Sequence, residues 1–176
     1  MAEIIPLQLE ISQPIPVVTG NKDYTLFKEN LERINELLWL SGIDNKIMQY
    51  YIDLAEQEAI KAAEKNNKEY KGLSYKNQHN IQLRAKQKLR YVILRKLTED
   101  SFRDHSCRLA ESFLLQKFCL IDNLDKIKVP SKSALERYEK EIPYEIIREL
   151  NTLLIESASI PKSLEKVTLS RMIKSV

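Results

Sequence analysis

An all-α fold follows from three features of the sequence. Only three glycines occur in 176 residues, and the Asn-Gly and Asp-Gly pairs that mark tight hairpins are missing. Leu, Lys, Ile and Glu dominate, most of them residues that lose little side-chain freedom in a helix. Apolar residues also recur at steps of three and four, the period of a helix with one packed face. At 43% hydrophobic, a chain of this length can bury a sizeable core.

Several function classes fall away on composition. No apolar run approaches the roughly 20 residues needed to span a bilayer, and the start M-A-E-I-I-P-L-Q lacks the basic and apolar regions of a secretory signal, so a cytoplasmic protein is expected. Cys107 and Cys119 lie in amphipathic patterns with no Cys-x-x-Cys partner, and His79 and His105 are too far apart for a zinc pattern. The expectation is two buried thiols, two ordinary histidines, no metal ligand and no cofactor.

The elements follow in order. Residues 1–22 contain Pro6, Pro14, Pro16 and Gly20 and suit an extended arm. Asp23 can cap a helix whose stripe is Phe27, Leu31, Ile34 and Leu38, stopped by Gly42. A second helix from Asp44 to about Asn66 has a broad apolar side running from Ile47 through Tyr51 and Leu54 to Ala62, which makes 23–70 a helical hairpin. Its plain reading is packing or dimerisation. The polar stretch Asn66 to Ser74, with Gly72, is the candidate boundary.

A third helix is expected from Ser74 to Leu97. Two short ones follow, Ser101 to Ala110 and Ser112 to Leu120, with Phe102, Leu109, Phe113, Leu114, Phe118 and Leu120 as a local core. Pro130 and Ser131 then start a helix with Ala134, Leu135, Tyr138 and Ile142 on its packed side. Lys132, Ser133, Glu136, Arg137 and Lys140 fall on the other. Pro143 opens a last amphipathic helix through Leu154. Residues 74–157 thus read as a long basic helix plus a helix-turn-helix-like cluster, and 158–176 as a tail.

The net charge of +3 decides little, but its distribution decides more. From Tyr70 to Thr98 there are eight Lys and Arg residues and no acid, while all 25 acids lie elsewhere. On a helical wheel Arg84, Lys88 and Arg95 cluster with Tyr91 alongside, a stripe suited to backbone phosphates. Near the start of the Ser131 helix, Lys132 and Ser133 suit phosphates, Arg137 one turn further in can reach a guanine edge with two hydrogen bonds, and Lys140 on the same outer side is a further DNA-binding candidate.

Three blocks, R-Y-V-I-L-R-K-L, S-F-R-D-H-S-C-R-L-A-E-S-F-L-L-Q-K-F-C-L-I-D and V-P-S-K-S-A-L-E-R-Y, then carry a resemblance. In order and spacing they resemble the N-terminal helical region of bacterial insertion-sequence transposases of the DDE type. That resemblance implies binding to the terminal inverted repeats of a mobile element, on double-stranded DNA, with a homo-oligomer or intact transposase as a further partner. The family's catalytic domain holds two divalent metals on three carboxylates. Ser170, in L-E-K-V-T-L-S-R, stands where the first of those aspartates is expected, so the resemblance implies a chain cut off before that domain, with no catalysis and no Mg²⁺ of its own. Glu136, Glu139, Glu141 and Glu145, on helices among basic residues, are expected as surface charges. The alternative is a helical interaction or dimerisation module that does not bind nucleic acid.

Overall fold

The computed structural model describes residues 18–122 and 127–159, apart from the side chains of 157–159. Most of the expected N-terminal arm, Ser170 and the tail from residue 160 onward lie outside the described residues. The rest is all helical: α1 (Lys22–Leu40), α2 (Ile43–Lys65), α3 (Tyr75–Thr98), α4 (Phe102–Glu111), α5 (Phe113–Phe118), α6 (Lys132–Glu141) and α7 (Tyr144–Ser159).

Side-chain caps set most of the starts. Ser74, Ser101, Ser112 and Ser131 each accept a hydrogen bond from the backbone N–H three residues on, which satisfies one of the four donors a helix start leaves unpaired. At α1 the cap is Asn21, whose side chain accepts from the Tyr24 N–H at 3.0 Å, and Asp23 sits inside the first turn, where its charge suits the helix dipole. Gly42 takes φ +74 between α1 and α2, the left-handed turn that ends one helix and lets the next begin.

Apolar residues from all seven helices join one core. Leu31, Ile34 and Leu38 of α1 are buried as their spacing predicts, as are Leu109, Leu114 and Phe118 in the short helices. The stretch between α2 and α3, expected as a boundary, therefore connects two helices that share a core. Cys119 is buried, but Cys107 is exposed, because α4 packs through His105 and Leu109 and turns Cys107 to solvent.

The apolar side of α2 stops earlier than expected. Its buried residues are Ile43, Asp44, Ile47 and Tyr51, and nothing after Tyr51 is buried. On α3 the first buried residue is Ala85. Residues 52–65 and 75–84 therefore form a two-helix arm with no fully buried residue, about 20 Å long at roughly 1.5 Å per residue, in which Ile81 still packs against the core. Asp44 meets Arg90 and Tyr51 meets Lys88, so α2 and α3 run antiparallel.

Candidate nucleic-acid interface

The inner half of α3 is the platform on which α6 sits. Tyr91 is 5% exposed and its ring stacks on that of Tyr138, with centroids 6.1 Å apart. Beside this pair, the Lys88 ammonium lies 4.3 Å from the centroid of the Tyr51 ring and 2.6 Å from Glu141 Oε2. The Tyr51 hydroxyl donates to the Glu141 carbonyl at 3.3 Å, so α2, α3 and the end of α6 meet at one lysine. Two turns further along α3 from Lys88, Arg95 pairs with Glu139 and stacks over the Phe102 ring, and Lys96 reaches the same carboxylate at 2.9 Å. Burial disfavours the Glu139 charge, but hydrogen bonds from Lys96 and Arg95 outweigh it and hold the carboxyl below its usual range.

These contacts redistribute the basic stripe read from the sequence. Lys88 and Arg95 are turned toward carboxylates of α6, and Tyr91 is inside the helix interface, so none of the three lies open on the surface. Arg84 alone of the four is exposed. The wheel grouped them correctly by angle, but angle does not say which neighbour covers which turn. Glu139 and Glu141, expected as surface charges, are partly exposed and paired with these α3 cations.

A further pair was not legible as a pair. The Arg90 guanidinium donates from both terminal nitrogens to the Asp44 carboxylate, at 2.9 and 2.8 Å, and from Nε to Asn35 Oδ1 at 3.0 Å. Both charges are buried. The signal was present in Leu89-Arg90-Tyr91, an arginine flanked by core positions, which needs an acid from another helix.

The face of α6 turned away from α3 is predominantly basic, with Glu136 its one acid. Lys132, Ser133, Arg137 and Lys140 are all exposed, while Leu135 is buried beneath them. Arg137 and Lys140 make intrahelical pairs with Glu141 at 3.5 Å and Glu136 at 3.0 Å. Such exposed pairs are worth about 0–1 kcal/mol, so both cations are available to an outside anion. The α6 start is fixed by α4, whose Ser106 hydroxyl donates to the Pro130 carbonyl at 2.8 Å.

His105 is fully buried beneath this region, its Nδ1 3.8 Å from Asp100 Oδ2, and neither ring nitrogen has a hydrogen-bond partner. Burial lowers its pKa to about 4 despite the nearby Asp100 carboxylate, with Arg95 and Arg108 adding to the lowering. Burial also pushes the Tyr91 hydroxyl and the Cys119 thiol up, which leaves both protonated. Among the described residues no group of three or more His, Cys, Asp or Glu could hold a metal ion, and no helix is long and apolar enough to cross a membrane. No family model, curated protein or solved structure matches the chain.

Proposed function

We propose that the chain is the DNA-recognition region of a transposase of the DDE type, reading the terminal inverted repeats of its element with α6. The observation that carries this reading is the outward face of α6. Its cations and hydroxyl, Lys132, Ser133, Arg137 and Lys140, are exposed and outnumber the one acid among them, Glu136, whereas Glu139 is held by Arg95 and Lys96 of α3 and Glu141 is shared between Lys88 and Arg137. A short helix presented this way, with its base anchored by two neighbours, is how helix-turn-helix proteins offer a recognition helix to the major groove. The resemblance of the three sequence blocks supplies the kind of protein.

In this reading the described helices contribute recognition and not strand cleavage. Glu136, Glu139, Glu141 and Glu149 each pair with Lys or Arg, an arrangement that does not gather carboxylates around a metal pair.

The test begins by selecting a preferred duplex from a random pool with the full chain. Arg137→Ala should then cost about 1–3 kcal/mol on the selected duplex and much less on scrambled DNA, whereas Lys132→Ala should weaken both alike. Equal losses for Arg137→Ala on both would mean that α6 only positions the protein.

A second reading, a helical interaction module without nucleic acid, draws on Trp39 and Leu40 at the end of α1, 72% and 67% exposed. Retention on heparin and on mixed-sequence DNA at low salt is required by the first reading and not by the second.

A further inference from the structure

The arm formed by the outer parts of α2 and α3 is divided in charge: its acids, Asp53, Glu56, Glu58, Glu64 and Glu69, lie on α2 and the turn after it, and its α3 side has none. Between residues 65 and 86 lie six basic residues and one acid, Glu69. Lys65, Lys68, Lys71, Lys76 and Arg84 are exposed, and none of them forms an ion pair among the described residues. Other cations of the body do find an acid, as in Lys28–Glu32, Lys46–Glu149 and Lys140–Glu136. A helix that only needs to stay in solution is served by mixed signs, so a stretch of α3 without a single acid calls for another explanation.

Two further features point to the class of partner. Tyr75, at the tip near Lys71 and Lys76 in sequence, is 84% exposed, the most open of the large hydrophobic side chains among the described residues. The first turns of α3, Y-K-N-Q-H-N, are amide-rich and acid-free. Lysines suit phosphates, amides suit phosphates and base edges alike, and an open aromatic can lie against a sugar or base. An acidic protein surface would match the lysines but gives no use to the amides.

We propose that the tip of the α2–α3 arm is a second contact for duplex DNA, gripping the backbone beside the sequence that α6 reads. This rests on the proposed function and extends it to a surface outside the three sequence blocks. The two contacts are joined by one helix, since α3 holds α6 through Lys88 and Arg95 and carries the arm at its other end. Thirteen residues separate Tyr75 from Lys88, about 20 Å of helix or roughly six base pairs of duplex. The protected DNA is therefore longer on one side than α6 alone would cover.

The experiment uses the full chain, the selected duplex extended on both sides, and the triple variant K68Q/K71Q/K76Q, whose sites are exposed and leave the core untouched. Each phosphate contact contributes roughly 0.9 to the slope of log affinity against log salt. The triple variant should lower that slope by about two to three. It should also shorten the hydroxyl-radical footprint by about six base pairs on one side and keep the preference for the selected sequence. Tyr75→Ala should weaken the same protection with the slope unchanged. An unaltered slope and footprint in the triple variant, with the parent chain binding normally, would overturn the arm contact and leave the α6 reading standing. The same unaltered slope with a changed sedimentation coefficient would assign the tip to a protein partner instead. A parent chain that binds no duplex at all would overturn both.

Discussion

Along α3, the stretch from Ala85 to Thr98 buries seven residues and sets Lys88, Arg90, Arg95 and Lys96 against carboxylates of α2 and α6. The stretch from Tyr75 to Arg84 buries none, and its cations Lys76 and Arg84 stand in water without an acid. Both halves belong to one acid-free run of sequence. What separates them is the neighbour: a cation that must lie beside a core has to be neutralised by an element folded onto it, and one beyond the core does not. Positive charge counted along a sequence is therefore an upper limit on the charge a partner can meet.

The largest effect should come from the inner half. Arg90→Ala leaves Asp44 buried and unpaired and should cost about 3–5 kcal/mol in urea unfolding. The double change to Leu at both positions should recover much of the loss, because it removes the orphaned charge. Leu135→Ala, which empties the space under α6, should cost about 2–5 kcal/mol and separates loss of the α6 seat from loss of its outer face.

Acid should act on the groups packed around the inner half, His105 of α4 and Glu139 of α6. The folded protein holds His105 at about 4, below its unfolded value of 6.5, so the unfolded chain takes up the proton first as the pH falls. The stabilisation from neutral His105 is complete above about pH 6.5 and is lost progressively toward pH 4, on the order of 3 kcal/mol. Glu139, held below its usual range, adds a loss of the same sign at lower pH. His105→Leu should flatten the profile of unfolding free energy between pH 6.5 and 4, and an unchanged slope there would mean that His105 does not report on the fold.

In the arm the same kind of substitution should hardly matter for stability. Gln at Lys71 or Lys76 should move the unfolding free energy by about 0.5 kcal/mol or less, as for other open surface sites.

Much of the architecture was legible because it is local. The Ser131 cap, the Gly42 stop and the stripe of Leu31, Ile34 and Leu38 need only nearest-neighbour chemistry and are where the spacing put them, whereas the α1 cap, expected at Asp23, is Asn21 two residues earlier. The packed face of α6 was legible for the same reason. What was not legible depends on pairings between distant segments. Nothing around Glu139 or Glu141 tells that α3 cations will meet them, and nothing after Tyr51 in α2 tells that the body ends there, since Leu54, Ala55 and Ala59 continue the apolar pattern. Arg90 was the exception, a charge inside a core run that announces a partner without naming it.

The division of α3 is tested most directly by the salt dependence of DNA binding in two matched double variants. K88Q/R95Q removes inner cations already neutralised by Glu141 and Glu139, and K76Q/R84Q removes outer cations that have no acid. The slope of log affinity against log salt should fall by about two for the outer pair. For the inner pair it should stay at the parent value while the melting temperature drops. A slope that falls for the inner pair, with melting temperature and circular dichroism unchanged, would contradict the account.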